Sequence, residues 1–115
     1  MYENEDAPTL SELLDQALAG GAVGASIDRL SLLLLRAVIA KVHPEAAELS
    51  MDWYQDGLGC DSLYDGSGNV IDDFDALGES YPEDLWALAS NVRGTSDVKD
   101  ILIGPGDGPF RLKIR

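Results

Sequence analysis

An α+β fold, with helices packed on one face of a meandering antiparallel sheet of about five strands, is predicted by three observations. Apolar residues recur at helical spacing from Leu10 to Val42. From Glu48 the period changes to two, as in a half-buried strand. Short turns rich in Gly and Asp then separate the later apolar runs, and strands joined by short turns are antiparallel neighbours. The 115 residues suit one domain over 1–115, with 1–8 as a flexible acidic terminus. A hydrophobic content of 45% supports one core and argues against disorder.

The elements follow in the order ααβββαββ. Thr9 and Glu12 have the spacing of a capping box, and Leu10, Leu13, Leu14, Ala17 and Leu18 make one apolar face. Gly20-Gly21 stops this helix. Ser26 or Asp28 can cap the second helix. Its Leu30, Leu32 to Leu35, Val38, Ile39 and Val42 cover most of the circumference, as in a central core helix. His43-Pro44 ends it, because a residue before proline avoids the helical region. This run makes too few heptads for a dimer seam, and a monomer is expected.

Leu49, Met51 and Trp53 alternate with Ser50, Asp52 and Tyr54 on the first strand. Asp56-Gly57 is a tight-turn signal, and Cys60 to Asp65 is the return strand. Gly66-Ser67-Gly68-Asn69 is a second turn, and Val70, Ile71 and Phe74 begin a third strand. Pro82 suits a first helical position, with Glu83 and Asp84 favourable to the helix dipole. Leu85, Trp86, Leu88, Ala89 and Val92 form the third helix, which Gly94 ends. Val98, Ile101 and Ile103 suggest a fourth strand. After the breaker-rich 104–109 turn, Phe110, Leu112 and Ile114 alternate with Arg111, Lys113 and Arg115 on a fifth. The basic face of that strand guards an edge against aggregation or pairs with neighbouring acids.

Charge narrows the partners. The chain carries 21 Asp+Glu against 8 Lys+Arg, a formal net charge of −13. Between Lys41 and Arg93 lie 51 residues with no Lys or Arg, and they hold twelve of the acids. Direct binding to nucleic acid or to an anionic bilayer is not expected, because phosphate contacts need Lys and Arg. The concentrated negative field instead favours encounter with a basic protein. Asp52, Asp56, Asp61, Asp65, Asp72, Asp73 and Asp75 are the candidate partner-binding acids, with Tyr54 and Tyr64 as aromatic contacts beside them. Trp53, Phe74 and Trp86 are assigned to the core.

Other chemistries find little support. No catalytic residue, metal site or cofactor is expected. In Asp65-Gly66-Ser67-Gly68-Asn69, neither register fits an EF-hand loop: Val70 falls at the glycine position in one, Leu63 at a ligand position in the other. Cys60 has acidic sequence neighbours, which oppose thiolate formation, and only one His accompanies it. Paired carboxylates are too abundant to single out a glycosidase pair. The glycines of 104–108 lack the Gly-Lys-Ser/Thr ending of a phosphate loop.

A single Cys excludes an intrachain disulfide and suits a reducing compartment. The acidic N-terminus lacks the basic start of a signal peptide. The run from Ile27 to Val42 is short for a membrane span and holds Asp28, Arg29, Arg36 and Lys41. A cytoplasmic location is therefore expected. The expected function is that of a small acidic binding protein, an immunity protein or antitoxin that occludes the active site of a nuclease-like or other nucleic-acid-acting toxin, in part as a nucleic-acid mimic. Two readings stay open beside it. One is an enzyme or metal-binding accessory domain using the segment from Asp65 to Asp75. The other is a structural domain whose acidity serves solubility alone.

Overall fold

A computed structural model describes residues 5–21, 24, 26–55, 57–72, 85–105 and 107–114. The elements are α1 (Ala7–Leu18), α2 (Ile27–Val42), β1 (Ala46–Tyr54), β2 (Gly57–Asp65), β3 (Val70–Asp72), α3 (Leu85–Ser90), β4 (Leu102–Ile103) and β5 (Phe110–Lys113). This is the α+β order read from the sequence. The sheet runs β3-β2-β1-β5-β4, with every pair antiparallel.

Alternation sets the two faces of the sheet. Leu49 of β1 stands opposite Leu63 of β2 and Leu112 of β5, and Met51 opposite Cys60 and Phe110. All six are buried, and they meet the apolar side chains of α2 in one core. On the other face Glu48 faces Tyr64 and Lys113, and Ser50 faces Ser62 and Arg111. Arg111 also reaches Glu48, 3.8 Å away, so the basic last strand does pair with an acid of its neighbour. An extra residue at Asp61, between the pairs Ser50–Ser62 and Met51–Cys60, keeps both faces in phase with the core.

α2 is the hub because Leu30, Leu32 to Leu35, Val38 and Ile39 are all buried. Ser26 caps it by accepting from the Arg29 N–H at 3.1 Å. α1 packs its buried Leu10 and Leu14 into the same core. Its cap is Asp6, whose carboxylate accepts from the Thr9 N–H at 3.0 Å; the capping box at Thr9 is therefore corrected. The helix starts at Ala7 because Pro8 has no N–H to satisfy and its fixed φ suits a first turn. The fourth strand also shifts. β4 is only Leu102–Ile103, with Val98 and Ile101 buried in the turns before it and Ile103 exposed beside Arg111. The expected start of the third helix at Pro82, and Phe74 of the third strand, lie outside the described residues. Among the described residues no helix is long and apolar enough to cross a membrane.

Two local features carry measurable consequences. Ser31, on α2, is fully buried, and its hydroxyl has no hydrogen-bond partner among the described residues. An unsatisfied buried hydroxyl costs about 1–3 kcal/mol, and alanine is the better helix former. Ser31→Ala is therefore expected to raise stability by about 1 kcal/mol, read as a later chemical-denaturation midpoint. An earlier midpoint would show that the hydroxyl is satisfied.

The start of α2 is tied to the loop before β4. Arg29 donates to both carboxylate oxygens of Asp100 at 2.8 and 2.9 Å and to the Asp97 carbonyl at 3.0 Å. Ser26 Oγ lies 2.6 Å from an Asp97 carboxylate oxygen. The bond from Arg29 holds the Asp100 carboxyl down at about 2, against an ordinary 3.8. A depressed carboxyl contributes stability that is present above its unfolded value and lost as pH falls through the folded one. Stability is therefore expected to decline between about pH 4 and pH 2, and Arg29→Gln to flatten part of that limb. An identical acid limb in the variant would remove this pair as a cause.

Candidate functional site

The β1–β2 hairpin end gathers three of the predicted residues. Asp52, Tyr54 and Asp61 lie there. Asp52 accepts from the backbone N–H of Trp53 at 2.8 Å. The Tyr54 hydroxyl donates a short hydrogen bond to Asp61. That bond, then partial burial and the nearby acids, push the Tyr54 hydroxyl up to about 12, so it remains a donor at neutral pH. Tyr54 is 48% exposed, the most exposed aromatic ring among the described residues.

Trp86 stands beside it. Its ring lies 5.2 Å from that of Tyr54, centre to centre, inclined at 65°. Trp86 is half-buried, not in the core as its helical spacing suggested. Its indole N–H is turned inward and has no acceptor among the described residues. The arrangement depends on two glycines of β2. A Cβ on Gly59 would run into both the Tyr54 and Trp86 rings, and a Cβ on Gly57 would stand 2.7 Å from the Ser90 carbonyl. Those glycines let α3 close against the first half of β2. The result is a cleft of about 380 Å³ lined by Tyr54, Gln55, Gly57, Leu58, Trp86, Ala87 and Ser90. Trp53 is partly buried against the core, edge-on to Phe110 at 5.7 Å.

The remaining described candidates lie elsewhere. Asp61 and Asp65 are four residues apart on one strand, about 13 Å at the strand rise. Asp65 closes the β2–β3 turn by accepting from the N–H groups of Ser67 and Asn69, each at 2.9 Å. These bonds, that from Asn69 foremost, hold its carboxyl below the usual range. Asp72 pairs across from Leu63 on the short β3. Tyr64 lines a second cleft of about 460 Å³ with Glu48, Ser50, Gly68, Pro109, Phe110 and Arg111. Asp56, Asp73 and Asp75 lie outside the described residues. The described acids thus split into a hairpin-end group and a turn-end group, and one turn-end member is occupied in holding its own loop.

The sequence reading missed Trp86 as a surface group. The signal was present in Gly57 and Gly59, which share one face of β2 and leave room for a ring from another element. The Asx turn at Asp65 was likewise legible in Asp-Gly-Ser-Gly-Asn. Cys60 is buried. Among the described residues no group of three or more His, Cys, Asp or Glu is placed to hold a metal ion. Comparison with protein-family models, with curated proteins and with solved structures found no match.

Proposed function

We propose that this chain is a small acidic binding protein that neutralises a basic partner protein, of the immunity or antitoxin kind, by covering the phosphate-binding cleft of a nucleic-acid-acting toxin. The observation that carries this reading is the hairpin end. There an exposed Tyr54 and a half-buried Trp86 flank a cleft, and Asp61 is bonded to the Tyr54 hydroxyl, while Asp52 on the same strand as Tyr54 turns its carboxylate toward Gly108. Tyr54, Trp86 and both acids belong to the stretch between Lys41 and Arg93 that has no basic residue. Aromatic anchors surrounded by one sign of charge suit a protein interface, where the ring supplies contact area and the field steers approach. Neither of the two clefts described above is lined by a pair of carboxylates, which favours binding over acid-base chemistry.

The test is complex formation with the product of the gene that neighbours this one. A one-to-one complex that abolishes the partner's action on nucleic acid is expected. A neighbouring product that is not bound, or is bound and remains fully active, contradicts the reading.

A further inference from the structure

The hairpin-end cleft has a more definite chemistry than a general acidic surface. Two rings meet above Gly59 at 65°, and their free faces and edges open into a space lined otherwise by small or uncharged residues. A carboxylate stands at the tyrosine end, because the Tyr54 hydroxyl is fastened to Asp61. The described contacts of the Asp61 carboxylate use one of its two oxygens. Every lining residue belongs to the stretch without Lys or Arg, so no cation from that stretch competes for the rings.

We infer that the Tyr54–Trp86 cleft is a socket for an arginine side chain of the basic partner, with the guanidinium stacked on the rings and bonded to Asp61. The inference rests on the proposed binding function and adds the residue type recognised. Arginine fits better than lysine for two physical reasons. Its planar guanidinium is weakly hydrated and stacks on aromatic faces. Its forked donors can take a carboxylate oxygen while the plane stays on the ring, which an ammonium point charge cannot do. The bond from Tyr54 also fixes the Asp61 carboxylate before any partner arrives, which lessens the ordering cost of binding. Because the tyrosine proton is held firmly at neutral pH, this arrangement persists across the physiological range.

The test needs no partner. Acetyl-arginine amide is titrated at constant ionic strength into the ¹⁵N-labelled protein. The Trp86 indole N–H resonance, assigned by comparison with Trp86→Phe, is followed against that of Trp53. Acetyl-citrulline amide, of nearly the same shape without charge, and acetyl-lysine amide serve as comparisons. A saturable shift of the Trp86 signal with the arginine probe is expected, with at least fivefold weaker binding of the other two. Tyr54→Ala, at an exposed position where the fold is not at risk, is expected to weaken arginine binding at least tenfold. Asp61→Asn is expected to weaken it less, since the rings remain. Equal response to arginine and citrulline, no saturable response, or unchanged binding by Tyr54→Ala would overturn the socket.

Failure of the socket and failure of the function give different results. A salt-sensitive complex with a basic protein that ignores Tyr54→Ala removes the socket and leaves the function. Selective arginine binding in the cleft upholds the socket even where the product of the neighbouring gene is not bound.

Discussion

Phe110→Ala is expected to lower the stability of the fold by about 4 kcal/mol, the usual cost of removing a fully buried aromatic ring. Phe110 is 1% exposed and stands opposite Met51, so it joins the fifth strand to the centre of the sheet. It also meets the edge of Trp53, and its ring lies close behind Gly104 and Gly108. Its removal therefore opens a cavity that neither the sheet nor the β4–β5 turn can close without moving. Domains of this size hold a total stability of roughly 5–15 kcal/mol, so the variant would be marginal. In urea, with a slope of about 2 kcal/mol per molar, the midpoint should fall by about 2 M. Phe110→Leu should recover a large part of the loss by refilling the volume. A midpoint for Phe110→Ala close to wild type would mean that Phe110 is not in the core.

Gly57→Ala carries the next largest effect, about 3 kcal/mol of destabilisation. Two costs combine. Gly57 has φ of +125°, a conformation that side chains with a Cβ rarely adopt, and the new methyl would press on backbone atoms of Ser90. A carbonyl oxygen on a packed helix cannot swing aside as a flexible side-chain tip can. The strain should appear as separation of α3 from β2. Fluorescence of Trp86 should therefore change together with the denaturation midpoint. Gly68 provides the control. It too has positive φ, but nothing stands near its missing side chain, so Gly68→Ala should cost only the conformational part. Equal effects at the two positions would show that the approach of α3 to β2 is not tight.

The sequence was most readable where one face of an element is buried and the other is not. In β1 the alternation of Leu49, Met51 and Trp53 with Ser50, Asp52 and Tyr54 marks two faces, and the partners from β2 and β5 respect them. α2 was readable for the opposite reason, since an apolar helix on nearly every side has nowhere to lie but the centre. Boundaries were less readable. Asp6 and Thr9 are both good caps, and only the tolerance of Pro8 in a first turn decides between them. In the short β4 the apolar spacing of Val98, Ile101 and Ile103 did not fix the register, because two paired residues impose little alternation.

The site was half readable. Composition located the acids, but position along the chain could not separate a carboxylate that closes its own turn, Asp65, from one that stands beside a cleft, Asp61. Trp86 was hidden by its helical spacing, which is the same for a core residue and for a ring that leans over a glycine. That distinction depends on which element packs against the helix. Here it is a strand with glycines at 57 and 59.

Under the proposed function, the acids of the hairpin end, rather than net charge as such, bring a basic partner to this surface. The association rate with that partner, by stopped flow, separates the two for double variants of equal charge. Asp52→Asn with Asp61→Asn neutralises the hairpin end; Asp65→Asn with Asp72→Asn neutralises the turn end. Steered association falls steeply with salt and depends on where the charge sits. At about 0.15 M salt, where the screening length of about 8 Å is shorter than the separation of the two groups, the hairpin-end variant is expected to associate about fivefold more slowly, while the turn-end variant stays within about twofold of wild type. Equal slowing by both variants would reduce the effect to net charge, and no slowing by either would show that these acids do not steer the partner.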